Sequence, residues 1–148
     1  MSQGPESLSH HPAPDAHKLS SARAFFILFG GPLAWFVQFN LGVILSGWPC
    51  YPSDRRLAAP PPDYEWTRTG AMAVLVLALL VAIAAGASAQ IMLRRVRDEV
   101  EGSHAELAEI GHGRTRFIAL WGIALGYGSA VAAALTLVAF LLVPRCAG

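Results

Sequence analysis

Three stretches of this chain, residues 24–48, 70–93 and 117–143, contain no Asp, Glu, Lys, Arg or His. Each exceeds the roughly 20 residues that cross a hydrocarbon layer about 30 Å thick. The reading that follows is an all-α membrane protein of three transmembrane helices, at about those positions in a domain of residues 21–148. The alternative, a buried hairpin in a soluble bundle, needs a polar shell. A chain 54% hydrophobic and 14% charged has too few remaining residues to supply one. The first stretch is longer than the apolar part of a signal peptide and no small-x-small site follows it before Trp48, so it reads as a retained helix.

Lys and Arg set the expected orientation. With three spans, the N-terminus and second loop share one side, which holds Lys18, Arg23, Arg94, Arg95, Arg97, Arg114 and Arg116. The other side holds Arg55, Arg56, Arg68 and Arg145. The excess of basic residues favours the cytoplasm. The N-terminus is therefore expected inside and the C-terminus in the periplasm of a bacterial inner membrane. On that layout Cys50 and Cys146 share the outer, oxidising side, where a bridge would tie the first and third helices together. A second reading makes them soft ligands for Cu(I), with Met72 near the same surface.

The ends and loops carry weaker signals. Residues 1–20 are rich in Ser, Pro, His and Gly and are expected to be a disordered cytoplasmic tail, with His10, His11 and His17 solvated. Residues 51–69 contain Pro52 and the run Pro60, Pro61 and Pro62, which favours an extended, semi-rigid outer segment. The second loop is expected to be partly helical, since Arg94–Asp98, Arg95–Glu99 and Arg97–Glu101 are spaced i,i+4. Ser103 and Glu106 match a capping box for a short helix that Gly111 would end. His104 and His112 are read as solvent-facing.

Within the spans, polar groups and small residues are the informative positions. Pro32, after Gly30 and Gly31, predicts a kink or a fresh start, and neighbouring protein at that depth. Gln38 and Asn40 are amides well inside the first span, so each is expected to hydrogen-bond to a neighbouring helix or a bound molecule. Trp35 lies too deep for the interfacial belt and reads as packing, whereas Trp48, Tyr51, Tyr64 and Trp66 suit the outer boundary. Ala78, Ala82 and Gly86 make a small-residue stripe in the second span; Gly122, Gly126, Ala130 and Ala134 make a longer one in the third. Such stripes allow close backbone approach, to another part of this chain, a second copy or another membrane protein.

The missing residues exclude several functions. A proton-coupled transporter needs an ionisable group inside the membrane, and a bis-histidine haem site needs histidines there. No phosphate loop, metal-binding pair, nucleophile–base couple or C-x-x-C pair is present. A net charge of +1 without a free basic cluster points away from nucleic acid. No catalytic residue, cofactor or metal is expected.

The stretch Gly30-Gly31-Pro32-Leu33-Ala34-Trp35, continuing to Gln38 and closing on Trp48-Pro49-Cys50, resembles small uncharacterised three-helix membrane proteins encoded with bacterial cytochrome c oxidase gene clusters. The resemblance covers the first helix and its outer end. It implies a non-catalytic accessory or assembly role beside other integral membrane subunits, such as those of an oxidase. The alternative is a periplasm-facing copper- or thiol-handling factor using Cys50 and Cys146.

Overall fold

The structure is a computed structural model that describes residues 20–51, 55, 57–101, 110–144 and 146, with side chains described outside 96–101 and 110–114. It contains three long helices, α1 (Ser21–Gly47), α2 (Trp66–Glu101) and α3 (Ile110–Leu142). One-turn 3-10 helices at Trp48–Cys50 and Pro62–Tyr64 lie between α1 and α2. No strand occurs among the described residues. All three helices are long and apolar enough to cross a membrane, over Ser21–Cys50, Pro62–Arg95 and Thr115–Leu142.

The bundle is small inside and large outside. Its buried apolar side chains on α2 are Ala71, Leu75, Ala78, Ala82, Ala85, Ala89 and Met92, mostly alanine. Large side chains such as Phe36, Leu77, Leu80, Phe117, Val131 and Leu135 point outward and are exposed. In water this arrangement would sacrifice the hydrophobic effect, but in hydrocarbon it is natural. Lipid tails solvate the large side chains, and close backbone packing holds the helices together.

The buried α2 positions alternate spacings of four and three, the 3.5-residue repeat of helices packed at a shallow left-handed angle. Ala78 and Ala82 of the sequence stripe belong to that pattern, and Gly86, also buried, lies beside it against α3. A third of the α2 span is buried, against 17% of α1 and of α3, so α2 is the central helix. Alanine there costs almost no side-chain entropy and favours helix.

The helix partners keep constant register. Ile27 meets Gly122 and Gly31 meets Gly126, both pairs 95 apart in sequence, so α1 and α3 run parallel. Gly30 faces Ala85, and Leu45, near the end of α1, faces Gly70, near the start of α2, so α1 and α2 run antiparallel.

One sequence expectation differs from this fold. No short helix ends at Gly111; that residue lies inside α3, which begins at Ile110 and starts before the apolar run. The polar stretch after Leu93, expected to be partly helical, continues α2 to Glu101, because Arg, Glu and Val propagate a helix already nucleated in the span. The N-terminal tail with its histidines, the capping box at Ser103 and Glu106, and the side-chain pairings to Asp98, Glu99 and Glu101 lie outside what the structure describes, as do the side chain of His112 and residue His104.

Candidate functional site

The disulfide end is built by chain reversals. Pro144 stops α3 two residues after Leu142, since its ring has no amide to continue the ladder. Cys146 then takes a left-handed backbone with φ 58°. It reaches Cys50, which closes the 3-10 turn after α1. The two sulfurs are 2.05 Å apart and the Cα atoms 5.4 Å apart, a bonded pair. Their sequence separation of 96 continues the 95-residue offset of the α1–α3 contacts below, so the bridge closes a register that packing already imposes. Cys50 is buried.

The segment between α1 and α2 folds back on this end. Leu57 donates its amide to the Cys50 carbonyl at 2.9 Å. The rings of Trp48 and Tyr64 meet edge-on with centroids 6.5 Å apart. Pro61 is extended, with φ −61° and ψ 153°, as consecutive prolines dictate. Thr67 is fully buried and donates its hydroxyl to the Tyr64 carbonyl at 2.7 Å, which anchors the start of α2.

Gly31 is buried against α3. A Cβ on it would stand 3.1 Å from the Gly126 Cα and 3.3 Å from the Leu125 carbonyl oxygen. Neighbouring protein therefore lies beside the Gly31–Pro32 step. The expected fresh start at Pro32 is absent: α1 runs unbroken from Ser21 to Gly47 with Pro32 inside. Proline removes one hydrogen bond, and the close contact beside it holds the helix through the gap. Gly122, Gly126 and Ala130 face inward and are buried, while Ala134 is half-buried. Gly122 sits under Ile27 of α1 and Ala89 of α2, and Gly126 sits against the Gly86 backbone of α2. Those partners belong to this chain.

The two amides of α1 diverge. Gln38 is fully buried, and neither its Nε2 nor its Oε1 has a hydrogen-bond partner in the protein. The register of Gly31 with Gly126 sets it at the level of Ala133 in α3, also fully buried. Asn40 is exposed, and its Nδ2 donates to the Phe36 carbonyl of its own helix at 2.8 Å. Neither makes a bond to a neighbouring helix of this chain: α1 turns Asn40 away from the bundle, and the Gln38 amide meets no polar partner at its buried position. Trp35 also departs from expectation. It is 37% exposed and lies beside Phe39, ring centroids 6.0 Å apart, on the outer surface.

One interhelical polar contact escapes a reading by residue type. The Tyr127 hydroxyl of α3 donates to Gln90 Oε1 of α2 at 2.8 Å. The ring of Tyr127 covers Gly86 at 3.2 Å from where a Cβ would stand. Finding this pair needs the antiparallel register of α2 and α3; its available signal was a lone tyrosine within an apolar span.

Chemically, the described residues offer a disulfide, amides and hydroxyls, with exposed charged groups such as Glu65 and Arg68 near the start of α2. Among them no three His, Cys, Asp or Glu side chains converge on one point. The polar group most available to another molecule inside the spans is Asn40, flanked by exposed Phe36 and Val43. No protein-family model, curated protein or solved structure matches this chain.

Proposed function

We propose that this protein is a non-catalytic accessory or assembly factor of a bacterial inner membrane, which binds other membrane subunits through the outward face of α1. The observation that carries the reading is Asn40. It lies ten residues before Cys50, about 15 Å along the helix at 1.5 Å per residue, well below the end of the span. An amide facing hydrocarbon is costly, and only one of its hydrogens is used on Phe36. A second helix laid over Phe36, Asn40 and Val43 removes that cost and offers the amide a partner. The resemblance of the first helix to proteins encoded with cytochrome c oxidase clusters supplies the address, an oxidase subunit.

The orientation proposed is N-terminus inside and C-terminus in the periplasm. The excess of Lys and Arg at the opposite end supports it, and so does a disulfide, which persists in an oxidising compartment.

A photo-reactive amino acid at Val43, followed by mild-detergent purification and mass spectrometry, tests the reading. Crosslinks to oxidase subunits support it. Repeated recovery without respiratory subunits removes the oxidase address, and stoichiometric Cu(I) lost on replacing either cysteine would assign the protein to copper handling instead.

A further inference from the structure

The disulfide end holds a cleft of about 720 Å³ between the start of α2 and the end of α3. We propose that it binds a phospholipid whose headgroup carries both a phosphate and a primary ammonium, as phosphatidylethanolamine does. Its two walls differ in chemistry. One presents Glu65, Trp66 and Arg68, all exposed; the other is apolar and includes Leu141, Leu142 and Val143.

The polar wall matches a zwitterion. The Arg68 guanidinium offers several N–H donors to phosphate oxygens, and Glu65, three residues earlier, offers an anion to an ammonium. The Trp66 ring adds a face that attracts a cation. A headgroup with only negative charge satisfies Arg68 but meets Glu65 as a repulsion. The apolar wall belongs to the last turn of the Thr115–Leu142 span, and the polar wall to the first turns of the Pro62–Arg95 span. The cleft thus lies where headgroups meet acyl chains, at the end that also exposes Trp48 and Tyr51. A lipid enters it with the headgroup on α2 and an acyl chain along Leu141 and Leu142. This inference needs the membrane-spanning bundle and is independent of what docks on α1.

Native mass spectrometry of the delipidated, full-length protein tests it, with phosphatidylethanolamine, phosphatidylglycerol and free phosphoethanolamine as probes. The expected result is one phosphatidylethanolamine retained per chain, with Arg68→Gln and Glu65→Gln each weakening retention about tenfold, the factor carried by ~1.4 kcal/mol. Both variants should melt in lipid-free detergent at the wild-type temperature, which separates lost binding from lost folding. Phosphatidylglycerol held equally well, or Arg68→Gln retaining lipid like wild type, overturns the proposal. Competition by phosphoethanolamine at equal concentration would reduce the site to a headgroup pocket and overturn its assignment to a lipid.

Discussion

A Cβ placed on Gly126 would lie 2.6 Å from the Cα of Gly86, so α2 and α3 meet backbone to backbone at this level. Side-chain carbons do not approach backbone that closely, and the obstacle is main chain, which has no rotamer to yield. Gly122, one turn earlier, instead meets side chains first, those of Ile27 on α1 and Ala89 on α2.

Replacing Gly126 by alanine should therefore destabilise the bundle by about 1–3 kcal/mol, the range of overpacking a close-fitted interior. Gly128→Ala is the control, since nothing lies within 4 Å of its position and alanine favours helix. Reversible unfolding in mixed micelles with rising denaturing detergent measures both. Equal midpoints for the two variants would show that the close contact carries no stability.

Gln38 presents the opposite case. Its amide is buried without a protein partner, so an apolar side chain of similar length should fit better. Gln38→Met should raise stability by about 1 kcal/mol, because it removes the penalty of an unbonded polar group and keeps the volume. A lowered midpoint in the same unfolding assay would mean that the amide is bonded after all.

The Cys50–Cys146 bridge closes a loop of 96 residues, for which chain-entropy arguments give roughly 4–5 kcal/mol in a free chain. Helices already held in a bilayer have lost much of that entropy, so Cys50→Ser should cost about 2 kcal/mol. Cys146→Ser and the double variant should cost the same, since one bond is lost in each. In intact cells, a membrane-impermeant reductant followed by an impermeant maleimide should label both cysteines. Labelling only after the membrane is opened would reverse the proposed orientation.

Asn40 bonds only to its own helix, so Asn40→Leu should leave the melting temperature of the isolated protein within error of wild type. Recovery of a crosslinked partner from Val43 should fall about tenfold, as expected when an interhelical amide bond of ~1–2 kcal/mol is lost. Unchanged recovery would place the partner elsewhere on the surface.

The parts of the fold readable from residue order are those governed by transfer to hydrocarbon. Uncharged runs at 24–48, 70–93 and 117–143 lie within helices able to span a membrane, and Cys50 and Cys146 form the bridge that a shared side of the membrane suggested. The boundaries were less readable. Charge pairs at i,i+4 announced helix past Leu93, but the start of α3 before Phe117 carried no apolar signal, because polar residues extend a nucleated helix without one.

The polar positions were least readable. Helical spacing put Gln38 and Asn40 on different faces without saying which faces the core; one is fully buried and the other faces outward. Their two-residue separation turns them about 200° apart on a helix, and which one enters the core depends on where α2 and α3 lie. Tyr127 and Gln90 meet for the same reason, across 37 residues of sequence.

By itself, the sequence determined that this chain forms three long apolar helices, since the cost of placing charge in hydrocarbon is paid residue by residue. Tertiary structure alone decided which small residues touch, which amide is buried, and that a cleft opens between α2 and α3 beside the disulfide. Those outcomes depend on helix rotation and register, which are set jointly by contacts between distant segments and by no single span.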